Sequence, residues 1–250
     1  MVLYGLIGNN LGHTFSPAFF SEKFIELNIK AAYQVFELDN IDEVLSIVRE
    51  NENLAGFNVT IPFKKAILKM LNEMDPVVSE TGSANTVKVI RDKQKVRLKG
   101  YNTDVVGFEQ SLLPFLSGRH IRKALVLGTG GSAAAVSFVL HKLNISHLFV
   151  SRNPDKKDTV SYPSLDREII QSHPLIINTT PAGMFPDKKG YPDIPYQYLT
   201  SGHLLYDLIY NPPETIFMKQ GKKYGAETKS GEEMLRLQAD ASWEIWCSGG

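Results

Sequence analysis

Lys64 closes the run Asn58-Val59-Thr60-Ile61-Pro62-Phe63-Lys64, and an ammonium placed there is a proton donor of the kind a developing alkoxide needs. A carboxylate, Asp104, ends Gly100-Tyr101-Asn102-Thr103-Asp104, where the chain passes from one expected domain to the next. Neutral hydrogen-bonding groups recur nearby in the sequence. Thr14 and Ser16 stand two residues apart in Gly12-His13-Thr14-Phe15-Ser16-Pro17, and Asn85 precedes a strand in Gly82-Ser83-Ala84-Asn85-Thr86. Asn58 and Thr60 sit at the C-terminal end of an expected strand, which is where α/β folds bind ligands. Taken singly each group has an ordinary explanation: an exposed helix lysine, an N-cap, a turn amide. It is their occurrence together, ahead of a second motif, that directs attention to them.

That second motif is Gly128-Thr129-Gly130-Gly131-Ser132-Ala133, which fits the G-x-G-x-x-G/A turn of dinucleotide-binding folds and lies between an apolar strand and a helix. Gly128 would allow the tight turn, Gly130 the close approach of a pyrophosphate, and Ala133 the packing of helix on strand. The phosphates would meet the free N–H groups and positive end of the helix. An NAD site usually carries Asp or Glu at the end of the following strand. Here that position reads Ser151-Arg152-Asn153-Pro154-Asp155-Lys156. Arg152 pairs well with a 2′-phosphate and Lys156 adds charge, so the expected cofactor is NADP.

These groups need a scaffold, and the chain supplies an α/β one. Its 250 residues suit two domains, and 43% hydrophobic content is ample for a core in each. Apolar strand-like runs at 2–7, 32–38, 56–59 and 86–91 alternate with helical spacing at 39–50 and after Pro62, and Ser16-Pro17 reads as an N-cap followed by N1. Residues 95–100 are expected to pair with 86–91 as a hairpin. Further strands are expected at 124–127, 147–151, 175–179, 204–208 and 227–229, and helices after Asp104, after Gly131, at 215–224 and at 231–246. Residues 181–195 read as a loop. The expected domains are 1–103, completed by 231–250, and 104–230.

Composition excludes several classes. Lys plus Arg and Asp plus Glu number 27 each, so no broad field for nucleic acid or anionic lipid is expected. No apolar run approaches the ~20 residues of a membrane span. The single cysteine, Cys247, points to a reducing cytoplasm, and six scattered histidines give no metal-ligand spacing.

The whole set resembles the shikimate dehydrogenase family, from Thr14-Phe15-Ser16-Pro17 through the Lys64, Asn85 and Asp104 segments and the glycine turn. It continues in Asn178-Thr179-Thr180-Pro181-Ala182-Gly183-Met184, Tyr206-Asp207-Leu208-Ile209-Tyr210 and Gly231-Glu232-Glu233-Met234-Leu235-Arg236-Leu237-Gln238. The resemblance implies a substrate-binding α/β domain and a Rossmann-type domain, with the last helix rejoining the first. It implies reversible reduction of 3-dehydroshikimate to shikimate by NADPH, with Lys64 and Asp104 as the catalytic pair. Thr14, Ser16, Thr60, Asn85, Tyr210 and Gln238 would hold the substrate. Gly128, Thr129, Gly130, Gly131, Ser132, Ser151, Arg152, Lys156 and Thr179 would hold the dinucleotide, with Leu208 and Gly231 bordering its nicotinamide. Many neutral hydrogen-bonding groups suit a cyclic polyhydroxy acid, since they give direction without repelling its carboxylate. The expected partner is thus a small molecule, and the expected assembly a monomer or homodimer.

The chain departs from the family where Thr14 replaces the usual Ser, where Ser151-Arg152-Asn153 replaces Asn-Arg-Thr, and at Thr129 and Thr179-Thr180-Pro181. The methyl of Thr14 leaves open a quinate or dual quinate/shikimate dehydrogenase using NAD or NADP. A ligand sensor that kept the fold without turnover is the other alternative.

Overall fold

The computed structural model describes residues 1–250 except Asn10, His13, Gln94, 155–157 and 249–250. By its contacts the chain divides into two compact units, Met1–Thr103 with Ala239–Gly250, and Asp104–Gln238.

The first unit contains β1 (Val2–Gly8), α1 (Ser16–Glu26), β2 (Ala31–Glu37), α2 (Val44–Glu50), β3 (Leu54–Val59), β4 (Glu73–Met74), α3 (Pro76–Thr81), β5 (Thr86–Asp92) and β6 (Lys95–Tyr101). They form one sheet in the order β2-β1-β3-β5-β6-β4. β1 pairs in parallel with β2 and β3, whereas β3–β5 and β5–β6 are antiparallel. Alternation along β1 sends Leu3 and Ile7 into one core with Val44, Val48, Phe57 and Ile67, and Tyr4 into another with Phe20, Phe24 and Trp246. Burying an aromatic such as Phe20, which is fully buried, contributes on the order of 1.5–3 kcal/mol. Trp246 lies so close to the sheet that a Cβ on Gly56 would come within 2.3 Å of its Nε1, and that N–H donates to the Val87 carbonyl at 3.0 Å.

The second unit runs from α4 (Thr103–Phe115) through β7 (Lys123–Leu127), α5 (Gly131–Lys142), β8 (Ser146–Ser151), β9 (Thr159–Ser161), α6 (Arg167–Ser172), β10 (Leu175–Asn178), β11 (Leu204–Asp207), α7 (Ile216–Lys223) and β12 (Glu227–Lys229) into α8 (Glu232–Cys247). Its sheet is entirely parallel, in the order β12-β11-β10-β7-β8-β9. Numbered within the unit this is 3-2-1-4-5-6, the doubly wound Rossmann order. The central strands read as near-continuous apolar runs because both faces are covered: Leu125, Val126, Leu127, Ile176 and Ile177 are all fully buried. On α5, Ala133, Val136 and Leu140 form the buried stripe.

Several local expectations change. Ser16 is not an N-cap: α1 begins at Ser16, Phe15 occupies the cap position with helical backbone angles, and no side chain caps it. The segment after Pro62 is a 3₁₀ helix, Ala66–Met70, rather than an α-helix, and residues 41–43 are 3₁₀ before α2 begins. The last helix divides between the units: its residues up to Gln238 count with the second and those from Ala239 with the first, where the sequence reading had the return at 231. Among the described residues no helix is long and apolar enough to cross a membrane, and no cluster of metal-ligating side chains occurs.

Candidate active site

In the first unit the candidate groups gather where β1, β3 and β6 end. Thr60 follows β3 and donates its N–H to the Ile7 carbonyl at 2.9 Å, while its own carbonyl accepts from Phe63 N–H at 2.9 Å. Its methyl lies over Gly8, where any Cβ would come within 2.5 Å of Thr60 Cγ2. This tight turn delivers Lys64, half-buried, whose carbonyl accepts from the Ala84 N–H at 2.8 Å. The next residue, Asn85, joins two strand ends: its carbonyl accepts from Val59 N–H at 2.8 Å and its N–H donates to the Tyr101 carbonyl at 3.1 Å.

The Asn85 side chain is fixed in polarity. Its Oδ1 accepts from the Thr103 N–H at 2.7 Å and its Nδ2 donates to Thr103 Oγ1 at 2.9 Å. A backbone N–H can only donate, so the oxygen must face Thr103 and the amide cannot turn over. Asp104, 5% exposed in the first turn of α4, follows Thr103 directly in the chain. Hydrogen bonds therefore link the backbone at Lys64 to that at Thr103 by way of residues 84 and 85, and one peptide bond leads on to Asp104.

Behind them lies a buried polar cluster. Asn58 Nδ2 donates to Ser242 Oγ at 2.9 Å and to Thr86 Oγ1 at 3.1 Å, and Asn58 Oδ1 accepts from the Tyr33 hydroxyl at 2.8 Å. Ser242 Oγ lies 2.8 Å from Thr86 Oγ1 and 3.2 Å from Thr103 Oγ1. Asn58 is thus scaffold, and removing one member would leave buried partners unpaired at about 1–3 kcal/mol each. Burial holds the Tyr33 phenol far above its ordinary range, and hydrogen bonding from Ser16 opposes that. Ser16 is buried at the start of α1 and Thr14 is half-buried in the preceding loop.

In the second unit the glycine turn lies where β7 and β10, neighbours in the sheet, send their connections in opposite directions, the switch point at which doubly wound sheets bind ligands. Gly128 has φ +104°, and a Cβ there would sit 2.9 Å from Thr179 Oγ1 and 3.0 Å from Thr180 Cγ2. Glycine is required on both counts. Thr179 gives both its N–H and its hydroxyl to the Leu127 carbonyl, at 3.0 and 2.6 Å, so it shapes the wall of the turn. Gly130 is the N-cap of α5 with no capping side chain, and a Cβ built on it meets nothing within 4 Å. Thr129 precedes it, Gly131 and Ser132 open the helix, and Ala133 packs against the sheet at 1% exposure. Open space over a glycine at a helix N-terminus fits a pyrophosphate.

β8 ends in Ser151, whose Oγ accepts from the Asn153 N–H at 3.2 Å. Arg152 is exposed next to it, and its charge opposes the burial that raises the Tyr162 phenol. No carboxylate ends the strand, which fits NADP better than NAD. Lys156 lies outside the described residues.

On the other side of the switch point, Leu208 N–H donates to the Asn178 carbonyl at 3.0 Å and Gly231 N–H to the Ile209 carbonyl at 3.1 Å. A Cβ on Gly231 would come within 2.1 Å of the Leu208 oxygen, so backbone meets backbone there. Tyr210 is half-buried, and Gln238 Nε2 donates to the Leu235 carbonyl at 2.9 Å. Two polar residues to which sequence reasoning gave no role stand out. Asn178 and Asp207 are fully buried at the ends of β10 and β11 and bonded to each other, Nδ2 to Oδ1, at 3.0 Å. Burial raises the Asp207 carboxyl to about 6, against hydrogen bonds from Thr215, Ile209 and Asn178. Both lie in segments that carry the family resemblance, and each closes an apolar run, but neither feature assigned them a role.

Comparison with known proteins shows the family. Residues 6–87 match the family model of the shikimate dehydrogenase substrate binding domain. A shikimate dehydrogenase (NADP(+)) of Methanococcus maripaludis strain S2 is 36% identical over 260 residues, covering 98% of this chain and 91% of its own length. One from Clostridium botulinum strain Hall is 36% identical, covering 100% of this chain and 98% of its own. A crystal structure of a shikimate dehydrogenase in complex with NADP+ has a TM-score of 0.84 at 30% identity, covering 99% of this chain and 90% of that one. With full-length similarity at this level, the chain belongs to the shikimate dehydrogenase family.

Proposed function

We propose that this chain catalyses the reversible, NADPH-dependent reduction of 3-dehydroshikimate to shikimate. The observation that carries the cofactor assignment is the glycine turn at the switch point, with Arg152 in place of a carboxylate after the next strand. Family membership supports the substrate assignment.

NADPH, when bound, supplies the hydride that converts the substrate carbonyl to an alkoxide. Lys64 gives that oxygen its proton and recovers one from solvent, with Asp104 as its catalytic partner. Asn85, its oxygen turned to Thr103, presents its amide nitrogen to substrate as a donor. Thr14, Ser16, Thr60, Tyr210 and Gln238 join it in holding the substrate's hydroxyls and carboxylate. Gly128, Thr129, Gly130, Gly131 and Ser132 receive the pyrophosphate, Ser151, Arg152 and Lys156 the 2′-phosphate side, and Leu208 and Gly231 the nicotinamide. Thr179 acts through the shape of the turn. A cytoplasmic monomer or homodimer fits a biosynthetic enzyme with one cysteine.

Initial rates with shikimate and with quinate, each with NADP+ and with NAD+, test the assignment. The highest kcat/KM is expected for shikimate with NADP+. A higher value for quinate with NAD+ would transfer the assignment to quinate oxidation.

A further inference from the structure

Three segments at the C-terminal edge of the second sheet are tied to one carboxylate. Asp207, the last residue of β11, is fully buried. Its Oδ1 accepts from Asn178 Nδ2 at 3.0 Å and from the Ile209 N–H at 3.1 Å, and its Oδ2 accepts from the Thr215 hydroxyl at 2.6 Å. Thr215 is the N-cap of α7, its oxygen accepting in turn from Met218 N–H at 3.3 Å. Asn178 passes the restraint on, because its Oδ1 accepts from both the N–H and the hydroxyl of Thr180, at 3.0 and 2.7 Å. Thr180 and Thr179 form the wall against Gly128.

Among the described residues the Asp207 partners are all neutral donors, with no cation among them. A charge buried in this way is costly, and only a carboxylate can offer an acceptor to all three donors at once. Asparagine has the same shape but would turn an N–H2 group either toward the Asn178 and Ile209 donors or toward Thr215 Oγ1, reversing that bond at an oxygen that already accepts from Met218 N–H. The restraint is also placed asymmetrically. In a sheet of this order each βαβαβ half takes one mononucleotide across the crevice. Arg152 follows β8, in the half built from β7 to β9, whereas Asp207 and its partners Ile209 and Thr215 belong to the half built from β10 to β12.

We propose that Asp207 is a positioning residue that sets the nicotinamide half of the cofactor crevice, tying the exits of β10 and β11 and the start of α7 to the wall of the glycine turn. This rests on the reading that the crevice at Gly128 holds NADP(H).

The test is Asp207→Asn in the full chain. Dissociation constants are measured by fluorescence titration for NADPH, and by competition for 2′,5′-ADP, which carries the adenosine and both its phosphates but no nicotinamide. NADPH affinity is expected to fall about tenfold or more, the scale of a buried hydrogen bond to a charged group lost. Affinity for 2′,5′-ADP and the KM for shikimate should stay within about twofold of wild type. Equal losses for NADPH and 2′,5′-ADP, or no loss for either, would overturn the proposal. If Asp207→Asn does not fold, Thr215→Val removes one of the three donors and is judged by the same two constants, with Thr215→Ser expected to restore them. Gly130→Val separates the proposal from its premise. If that variant binds NADPH like the wild type, the crevice reading itself fails; if it loses NADPH while Asp207→Asn does not, only the role of Asp207 falls.

Discussion

In the first unit the candidate ligand groups are side chains held by other side chains, whereas the cofactor crevice of the second is shaped at three glycines. Asn85 is oriented by Thr103, and the cluster of Asn58, Thr86, Thr103 and Ser242 behind it is buried. Gly128, Gly130 and Gly231 instead work by lacking a Cβ, which would strike Thr179 at Gly128, protrude into open space at Gly130 and strike the Leu208 carbonyl at Gly231. The sheets match these tasks. A mixed sheet brings strand ends together by antiparallel pairing, while a fully parallel one opens a crevice at its switch point. On the proposed assignment, selectivity for a small polyhydroxy acid comes from directional side chains, and for a long charged cofactor from backbone shape plus one cation.

The largest effect expected from breaking this division is at Lys64. Lys64→Ala should lower turnover by ~100- to 10,000-fold, the range of a lost general acid. Shikimate and NADP+ should still bind within about threefold of wild type, because neither recognition set depends on the ammonium alone. Steady-state rates and calorimetric titrations check this; unchanged turnover would remove Lys64 from the chemistry.

A smaller effect separates the buried acid of the second unit from the neutral cluster of the first. Burial raises Asp207 from 3.8 to about 6, so its carboxyl binds a proton more tightly folded than unfolded. Its contribution to stability is therefore fully present below about pH 4 and lost as pH rises through 6, by about 3 kcal/mol at most. Urea denaturation of wild type and Asp207→Asn across that window should show the wild type losing ground to the variant as pH rises. Parallel pH profiles would contradict the shift.

Smaller again is Arg152→Ala, expected to weaken NADPH about 10- to 100-fold, the scale of a lost hydrogen bond to a charged group. NADH, which lacks the 2′-phosphate, should change by less than about twofold. Equal losses for the two would remove Arg152 from the 2′-phosphate.

Much of the second unit was legible in the sequence, because apolar runs such as Leu125–Leu127 and Ile176–Ile177 end at glycine or polar residues and alternate with helical spacing. α3 was equally legible and was passed over: Asp75-Pro76 gives an N-cap and N1, and Gly82 the left-handed cap, with Asp75 accepting from Val77 N–H. β4, at two residues, is defined only by its pairing with β6 and has no local signal. The 3₁₀ form of Ala66–Met70 could not be told from an α-helix, since both bring the same apolar residues to one side over a single turn. In the site, residue types and order were readable but partners were not. Asn58 looked like a ligand group at a strand end. It proved to be scaffold because Ser242, distant in sequence, folds onto it. The polarity of Asn85 likewise depends on the Thr103 N–H, which no local pattern discloses.

The division of labour is tested most directly by measuring dissociation constants for shikimate and for NADP+ separately in the wild type, Asn85→Ala and Arg152→Ala. Asn85→Ala should weaken shikimate by about 5- to 100-fold and leave NADP+ within twofold, and Arg152→Ala should do the reverse. If Asn85→Ala weakened NADP+ as much as shikimate, the two recognition tasks would not be separate and the account would be wrong.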